Sequence, residues 1–271
     1  MDKNSNAFTL TFATIVCVVL AVCLSATFTG LKTQINANAE FDRQVNVLLA
    51  MGFHDRADAS KSRGDLEKLF ADRVVGQVLE VKRGMVDRDV RRGGKNFTEK
   101  VEAVVDVSKT EYDVGEIANL RREEAKKTEA EQREFVEIYR GTDEDGTAVW
   151  AIPISGYGLW STLYGYLALE ADVSTVRGIT FYQHAETPGL GGEVDNAAWQ
   201  KTWRGKTVRD AQGKVVGVAL KKGRVDPKVD YEKAHMVDGL SGATITSNGV
   251  SRFVLADLQT YEPYFQKQRQ S

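Results

Sequence analysis

The sequence predicts an α+β protein: one apolar N-terminal helix, then a soluble domain in which an antiparallel sheet is covered by helices. Three observations carry this prediction. No charged residue falls between Asn4 and Leu31. From Glu134 onward, short alternating apolar runs are separated by turn-forming residues, the mark of half-buried strands. Near the C-terminus the apolar spacing changes to that of a helix. Strands and helices do not alternate regularly, which argues against a parallel α/β sheet.

Residues 1–6 form a short tail. The stretch AFTLTFATIVCVVLAVCLSATFTG, residues 7–30, exceeds the ~20 residues a helix needs to cross the hydrocarbon. It reads as a retained transmembrane helix. A cleaved signal peptide would use Ala37-Asn38-Ala39, but signal cores run only about 7–15 apolar residues. Lys3 and the terminal amine face only Lys32 and Arg43 across the span, so charge does not set the orientation. Residues 31–134 read as a membrane-proximal helical and mixed region with a connector. In it Phe41, Val45, Leu48 and Leu49 form one helical face that continues the membrane helix. DLEKLFADRV is a short helix with Asp65 near its start, and the charge-rich stretch from Lys109 to Glu134 is an exposed helix or connector.

Residues 135–271 form the compact domain. EFVEIYRGTDEDGTAVWAIPI is a hairpin turning at Asp143-Glu144-Asp145-Gly146, and LYGYLALE and VRGITFYQHA are further strands. DNAAWQKTWRG places Ala198, Trp199 and Trp203 on one helical face, with Asp195 as cap and Gly205 as terminator. KVVGVALKKG returns to strand, and SNGVSRFVLADLQTYEPYF is an amphipathic helix.

Several function classes are excluded. With 36 basic against 38 acidic residues, nothing points to nucleic acid as a partner. Cys17 and Cys23 both lie in the apolar run, so the soluble part has no disulfide or thiolate site. His54, His184 and His235 share no i, i+4 spacing, and no metal site is expected. Ser241 lacks the G-x-S-x-G elbow a hydrolase would need. Neither a P-loop nor a dinucleotide fingerprint follows a strand. His184 and Glu186 are expected to orient a loop by hydrogen bonding, and His54 and His235 to be exposed. No catalytic residue is assigned to the chain by itself.

Three glycine-rich stretches remain: SGYGLWS (Ser155 to Ser161), HAETPGLGGE (His184 to Glu193) and DGLSGAT (Asp238 to Thr244). Each by itself reads as readily as a turn or helix cap as a ligand loop. Glycines also let backbone approach a ligand, and converging N–H groups bind anions.

Taken together, GYGLWSTLYGYLAL, FYQHAETPGLGGEVDN and VDGLSGATITSNGV resemble, in order and spacing, the C subunits of bacterial sodium-translocating NADH:quinone oxidoreductases, whose soluble part is an FMN-binding domain. The likeness covers nearly the whole chain and is weakest from about Asp55 to Glu134. The GYGLWS form sets it apart from the related subunit of Rnf-type complexes. The resemblance implies FMN joined covalently by a phosphoester to Thr244, attached by a separate flavin transferase that recognises Asp238. Ser241, Gly242 and Ala243 would surround the linkage, and Gly239 would add no bulk. Thr187, Leu190 and Gly191 would lie along the isoalloxazine, and Trp160 would offer an aromatic surface. Lys222 would place a cation near the flavin, or is an ordinary exposed lysine. Thr246 and Ser247 are left as cap and turn hydroxyls. The implied role is electron relay toward quinone, coupled to sodium export. The implied partners are the other subunits of the complex, the transferase and membrane lipid, with the domain on the periplasmic side of the cell inner membrane. The alternatives are a membrane-anchored ligand-binding module without flavin, or the related flavoprotein subunit of an Rnf-type complex.

Overall fold

The computed structural model describes residues 6–92, 95–107, 114–127 and 133–270. Helix α1 runs Asn6–Ala50, and among the described residues one helix, Phe8–Ala50, is long and apolar enough to cross a membrane. Leu10, Phe12, Ile15 and further apolar side chains of its first half are exposed. The hydroxyls of Thr14, Thr27 and Thr29 donate to carbonyls four residues back at 2.8 Å, which satisfies them without water. The expected continuation past residue 30 is present, and its last turns bury Asn46, Val47, Leu48 and Ala50.

The chain folds as two compact units, one ending at Arg43 and the other beginning at Gln44. After α1 the second unit contains α2 (Arg63–Arg73), β1 (Val74–Arg92), β2 (Lys95–Asp106), α3 (Ile117–Glu124), β3 (Glu134–Thr142), β4 (Ala148–Tyr157), β5 (Thr162–Leu169) and β6 (Val176–Gln183). There follow α4 (Ala197–Lys201), β7 (Ala219–Lys221), α5 (Asp230–His235), β8 (Met236–Asp238) and α6 (Thr244–Gln270). Strands β1 to β6 form one antiparallel sheet in the order β2-β1-β3-β4-β5-β6. The region expected to be membrane-proximal therefore supplies β1 and β2 to the same sheet as β3–β6.

Helix α6 covers the sheet. Val250, Phe253, Val254, Leu258, Tyr261, Tyr264 and Phe265 are buried at the i, i+3, i+4 spacing of a single helical face. They share a core with Trp150, Ile152, Ile154, Leu163, Leu167 and Phe181 of the sheet. The Tyr261 hydroxyl donates to the Glu137 carbonyl and the Tyr264 hydroxyl to Gln77 Oε1, both at 2.7 Å, so the C-terminal half of the helix is tied to β3 and β1.

Several local expectations change. The run KVVGVALKKG keeps only three strand residues, and β7 pairs with β8 in parallel rather than antiparallel, because the chain between them crosses over through α5. Asn196, not Asp195, caps α4: its Oδ1 accepts the N–H of Ala198 at 2.9 Å, while Asp195 is engaged by His184 at 2.8 Å. Trp203 lies beyond α4 yet is fully buried. His235, expected to be exposed, is buried, and its Nδ1 lies 2.7 Å from the Thr207 carbonyl; His54 is half-buried. The charge-rich stretch is not all solvated. Glu124 is buried, and hydrogen bonds from the Lys127 ammonium, then the Arg133 N–H, hold its carboxyl down to about 2. Residues 108–113 and 128–132 of that stretch lie outside the described residues.

One partly buried group opposes folding at neutral pH. Asp257 of α6 is pushed up to about 7 by burial, with only the Ser155 N–H, at 2.9 Å, working the other way. A carboxyl whose folded value lies above its unfolded one binds more protons in the native state. Its contribution is full below the unfolded value and is lost as pH rises through about 7. Asp257→Asn keeps an acceptor for Ser155 and removes the charge. It is expected to raise the thermal midpoint of the detergent-solubilised chain by a few degrees at pH 8 and by clearly less at pH 5, as read by calorimetry. An equal gain at both pH values would contradict the assignment.

Candidate functional site

The stretch DGLSGATITS links β8 to α6. Gly239 leaves β8 so close to β7 that a Cβ there would stand 2.3 Å from the Lys221 carbonyl oxygen. The Leu240 N–H donates to Ser247 Oγ at 3.1 Å, and the Ser247 N–H to the Ala243 carbonyl at 2.9 Å. The loop is thus folded back on the first turn of α6. Gly242 follows with φ +70°, Ala243 is buried beneath, and Thr244 opens the helix with its side chain exposed. Two residues on, Thr246 is buried, as is Ser247. Ser247 is the turn hydroxyl expected of it. Thr246 is not a cap, because its hydroxyl donates 2.7 Å away to Glu186 Oε2.

Glu186 joins the other two stretches to this one. Its Oε1 accepts the N–H groups of Leu159, Trp160 and Ser161 at 3.1, 2.9 and 3.1 Å. Burial pushes its carboxyl up, but the Thr246 hydroxyl and these N–H groups outweigh it and hold it below the usual range. His184 completes the loop: Nδ1 accepts the Glu186 N–H at 3.1 Å and Nε2 lies 2.8 Å from Asp195. Both residues orient loops, as expected from the sequence.

Against Thr244 lies a cavity of about 470 Å³, lined by Lys222, Arg224, Asp238, Ser241 and Asn248 among others. Two cations face one carboxylate there, and that carboxylate already accepts the Val225 N–H at 2.7 Å. The first-turn N–H groups of a helix have no intrahelical acceptor and carry partial positive charge. An anion held at the start of α6 is therefore favoured by the backbone and by both cationic side chains.

Of the residues singled out from the sequence, Lys222, Asp238, Gly239, Ser241, Gly242, Thr244 and Ser247 line this cavity, and Ala243 does not. Trp160, Thr187, Leu190 and Gly191 are not among its lining residues. Leu190 nonetheless abuts the loop, since a Cβ on Gly242 would stand 2.8 Å from Leu190 Cδ2. Trp160, Leu190 and Ile245 are large apolar side chains left exposed here. Sequence reasoning misses Arg224 and Asn248. Arg224 follows Lys222 across Gly223, whose φ of +86° turns the chain so that both reach the cavity, and no local pattern announces that turn. Asn248 lies four residues after Thr244, one helical turn away.

A family model described as FMN-binding domain matches residues 158–259. The chain is 36% identical over 255 residues to the C subunit of the Na(+)-translocating NADH-quinone reductase of Pseudomonas aeruginosa, covering 93% of this chain and 91% of that one. It is 34% identical to the corresponding Yersinia pestis protein, with 92% and 87% covered. Among solved structures, Shewanella oneidensis NqrC aligns with a TM-score of 0.62 at 25% identity, covering 86% of this chain and all of that one. The C subunit from Parabacteroides distasonis aligns with a TM-score of 0.60 at 22% identity, over 87% and 96%, and supports the fold alone.

The site depends on how closely α6 can approach the end of β4. A Cβ on Gly249 would stand 2.4 Å from the Tyr157 carbonyl oxygen, a backbone atom that cannot swing aside. Gly249→Ala is expected to cost about 1–3 kcal/mol by overpacking, read as a lower denaturation midpoint. Asn248→Ala, at an exposed position, should stay within about 0.5 kcal/mol of the parent. Equal midpoints for Gly249→Ala and the parent would show that the helix has room to shift.

Proposed function

The chain belongs to the family of C subunits of Na(+)-translocating NADH-quinone reductases, and from that premise we propose a membrane-anchored flavoprotein that relays electrons through FMN linked by a phosphoester to Thr244, contributing to quinone reduction coupled to sodium export. One observation carries the attachment site. Within DGLSGATITS, Thr246 and Ser247 are buried, while Ser241 and Thr244 are both exposed and border the cavity that holds Lys222 and Arg224; of these two only Thr244 is the first residue of a long helix, whose N–H groups favour an anion there.

The residues present fit the group. A phosphate on Thr244 Oγ1 would meet the amide end of α6, and Lys222 and Arg224 would offset its charge. Gly242 and Ala243 leave the hydroxyl unobstructed. Trp160, Leu190 and Ile245 would cover apolar ring surface that otherwise faces water, with the Thr187-Gly191 turn alongside. FMN so held supplies one- and two-electron transfer between redox centres; the chain's own residues bind, orient and balance charge. Asp238 is the proposed recognition residue for a flavin transferase, and its bond to the Val225 N–H also shapes the loop bearing Arg224. In the same reading α1 anchors the chain once in the cell inner membrane, in contact with lipid and the other subunits, with the domain periplasmic.

Thr244→Ala is expected to abolish flavin fluorescence on the unfolded band of a denaturing gel, while Thr246→Ala retains it. Assembled into the whole complex, Thr244→Ala should leave NADH oxidation by artificial acceptors near normal and abolish quinone reduction with its coupled sodium movement. Quinone reduction at the parent rate without the flavin would remove the relay role.

The anchor makes a separate prediction. The native chain should leave membranes only with detergent, whereas a chain starting near Leu31 should be recovered without it. N-terminal sequencing that begins at Glu40 would instead show a cleaved leader.

A further inference from the structure

Glu186 does not line the cavity beside Thr244, yet it is buried and both of its carboxylate oxygens accept hydrogen bonds from other stretches of the chain. Three successive N–H groups, from Leu159, Trp160 and Ser161, converge on Oε1. Such a concavity of backbone amides binds anions, and here the anion is a side chain of the protein itself. The other oxygen, Oε2, takes the hydroxyl of Thr246 in the first turn of α6.

The glycines of two motifs make room for this carboxylate. A Cβ on Gly158 would stand 2.7 Å from Glu186 Oε1, and one on Gly191 would stand 2.6 Å from Oε2 and 2.8 Å from Thr246 Oγ1. A side chain at either glycine would push the carboxylate off its donors, independently of any bound ligand. We propose that Glu186 is a positioning residue that clamps the Trp160 loop to the first turn of α6, so that the indole and the Thr244 hydroxyl are held in fixed relation before flavin is attached. The proposal rests on Thr244 as the attachment site. Its mechanical part, the clamp, stands without it.

The two parts are tested separately in the full chain in detergent. In a flavin-free Thr244→Ala background, hydrogen exchange at the Leu159, Trp160 and Ser161 amides reports the clamp alone. Glu186→Ala should speed exchange there by about tenfold or more. Glu186→Gln, whose carbonyl oxygen can still accept the three N–H groups, should restore most of the protection. With Thr244 intact and the transferase limiting, covalent flavin per folded chain is then measured. Glu186→Ala should load several-fold more slowly and Glu186→Gln close to the parent. If Glu186→Ala does not fold, Thr246→Val replaces it, since it deletes a single hydroxyl from the clamp; slower loading is again expected. Loading at the parent rate in a folded Glu186→Ala or Thr246→Val chain would overturn the positioning role. Unchanged exchange at 159–161 in Glu186→Ala would overturn the clamp. Flavin retained on the Thr244→Ala chain would refute the attachment site instead, and leaves the exchange result to stand.

Discussion

A carboxylate taken out of water must be given hydrogen-bond donors or it will not stay charged, and at Glu186 those donors come from stretches far apart in sequence. The Trp160 loop gives three N–H groups and α6 gives the Thr246 hydroxyl, while His184 receives the Glu186 N–H. The Trp160 loop is the turn of the β4–β5 hairpin, closed by the Gly158 N–H donating to the Ser161 carbonyl at 2.9 Å, whereas the turn that carries Glu186 follows β6 without a partner strand. Their mutual position is held by the Ala185 N–H donating to Ser161 Oγ at 2.7 Å and by the donors gathered on the Glu186 carboxylate, which alone extends the tie to α6 through Thr246.

The clamp would be of no use on a mobile helix, and α6 is made immobile by the sheet. Its apolar face fills the core against β4 to β6, and its far end is tied down by Tyr261 and Tyr264. Two glycines remove the remaining distance. Gly156 lets β4 lie against Phe253, and Gly249 lets α6 lie against the Tyr157 carbonyl. The burial of Asp257 in the middle of this interface runs against stability at neutral pH, and the extensive apolar contacts on either side of it outweigh that cost. Thr244 thus stands at the free end of a helix whose body is part of the core.

What could be read in the sequence was what depends on local period and local turn chemistry. The β3–β4 hairpin, strands β5 and β6, α1 and α6 follow from spacing, and the start of α2 near Asp65 follows from residue type, whereas Ser62 as its cap emerges only in the structure. What could not be read depends on contacts between distant residues. Asp195 and Asn196 are equally good caps by composition, and the choice is made by His184, which takes Asp195. His235 is buried because Thr207 offers it a partner. The glycines of GYGLW and GLGG invite a reading as ligand-contact residues, since proximity to a carboxylate elsewhere in the chain leaves no trace in either motif. Thr244 itself was legible only through family resemblance. Physical chemistry applied to the sequence supplies four hydroxyls in DGLSGATITS without ranking them; the fold buries Thr246 and Ser247 and leaves Ser241 and Thr244 exposed, of which Thr244 alone opens α6.

Residues two apart on a helix point about 200° from one another, so Thr244 and Thr246 must face opposite ways once the helix is docked. The same docking that buries the Thr246 hydroxyl against Glu186 therefore presents the Thr244 hydroxyl outward. One contact thus ties attachment geometry to loop geometry. It also separates the charges: the ionised Glu186 sits behind the helix start with its acceptors filled, while Lys222 and Arg224 border the cavity on the Thr244 side. Under the proposed function, a phosphate linkage meets cations and backbone amides on one face of the turn, and the nearby buried carboxylate is neutralised electrostatically by the donors around it. An aspartate or asparagine at position 186 would be one methylene shorter, and could not reach the Trp160 loop and Thr246 at once without drawing the two together. The length of the glutamate side chain is therefore part of what sets the spacing between the Trp160 loop and the first turn of α6.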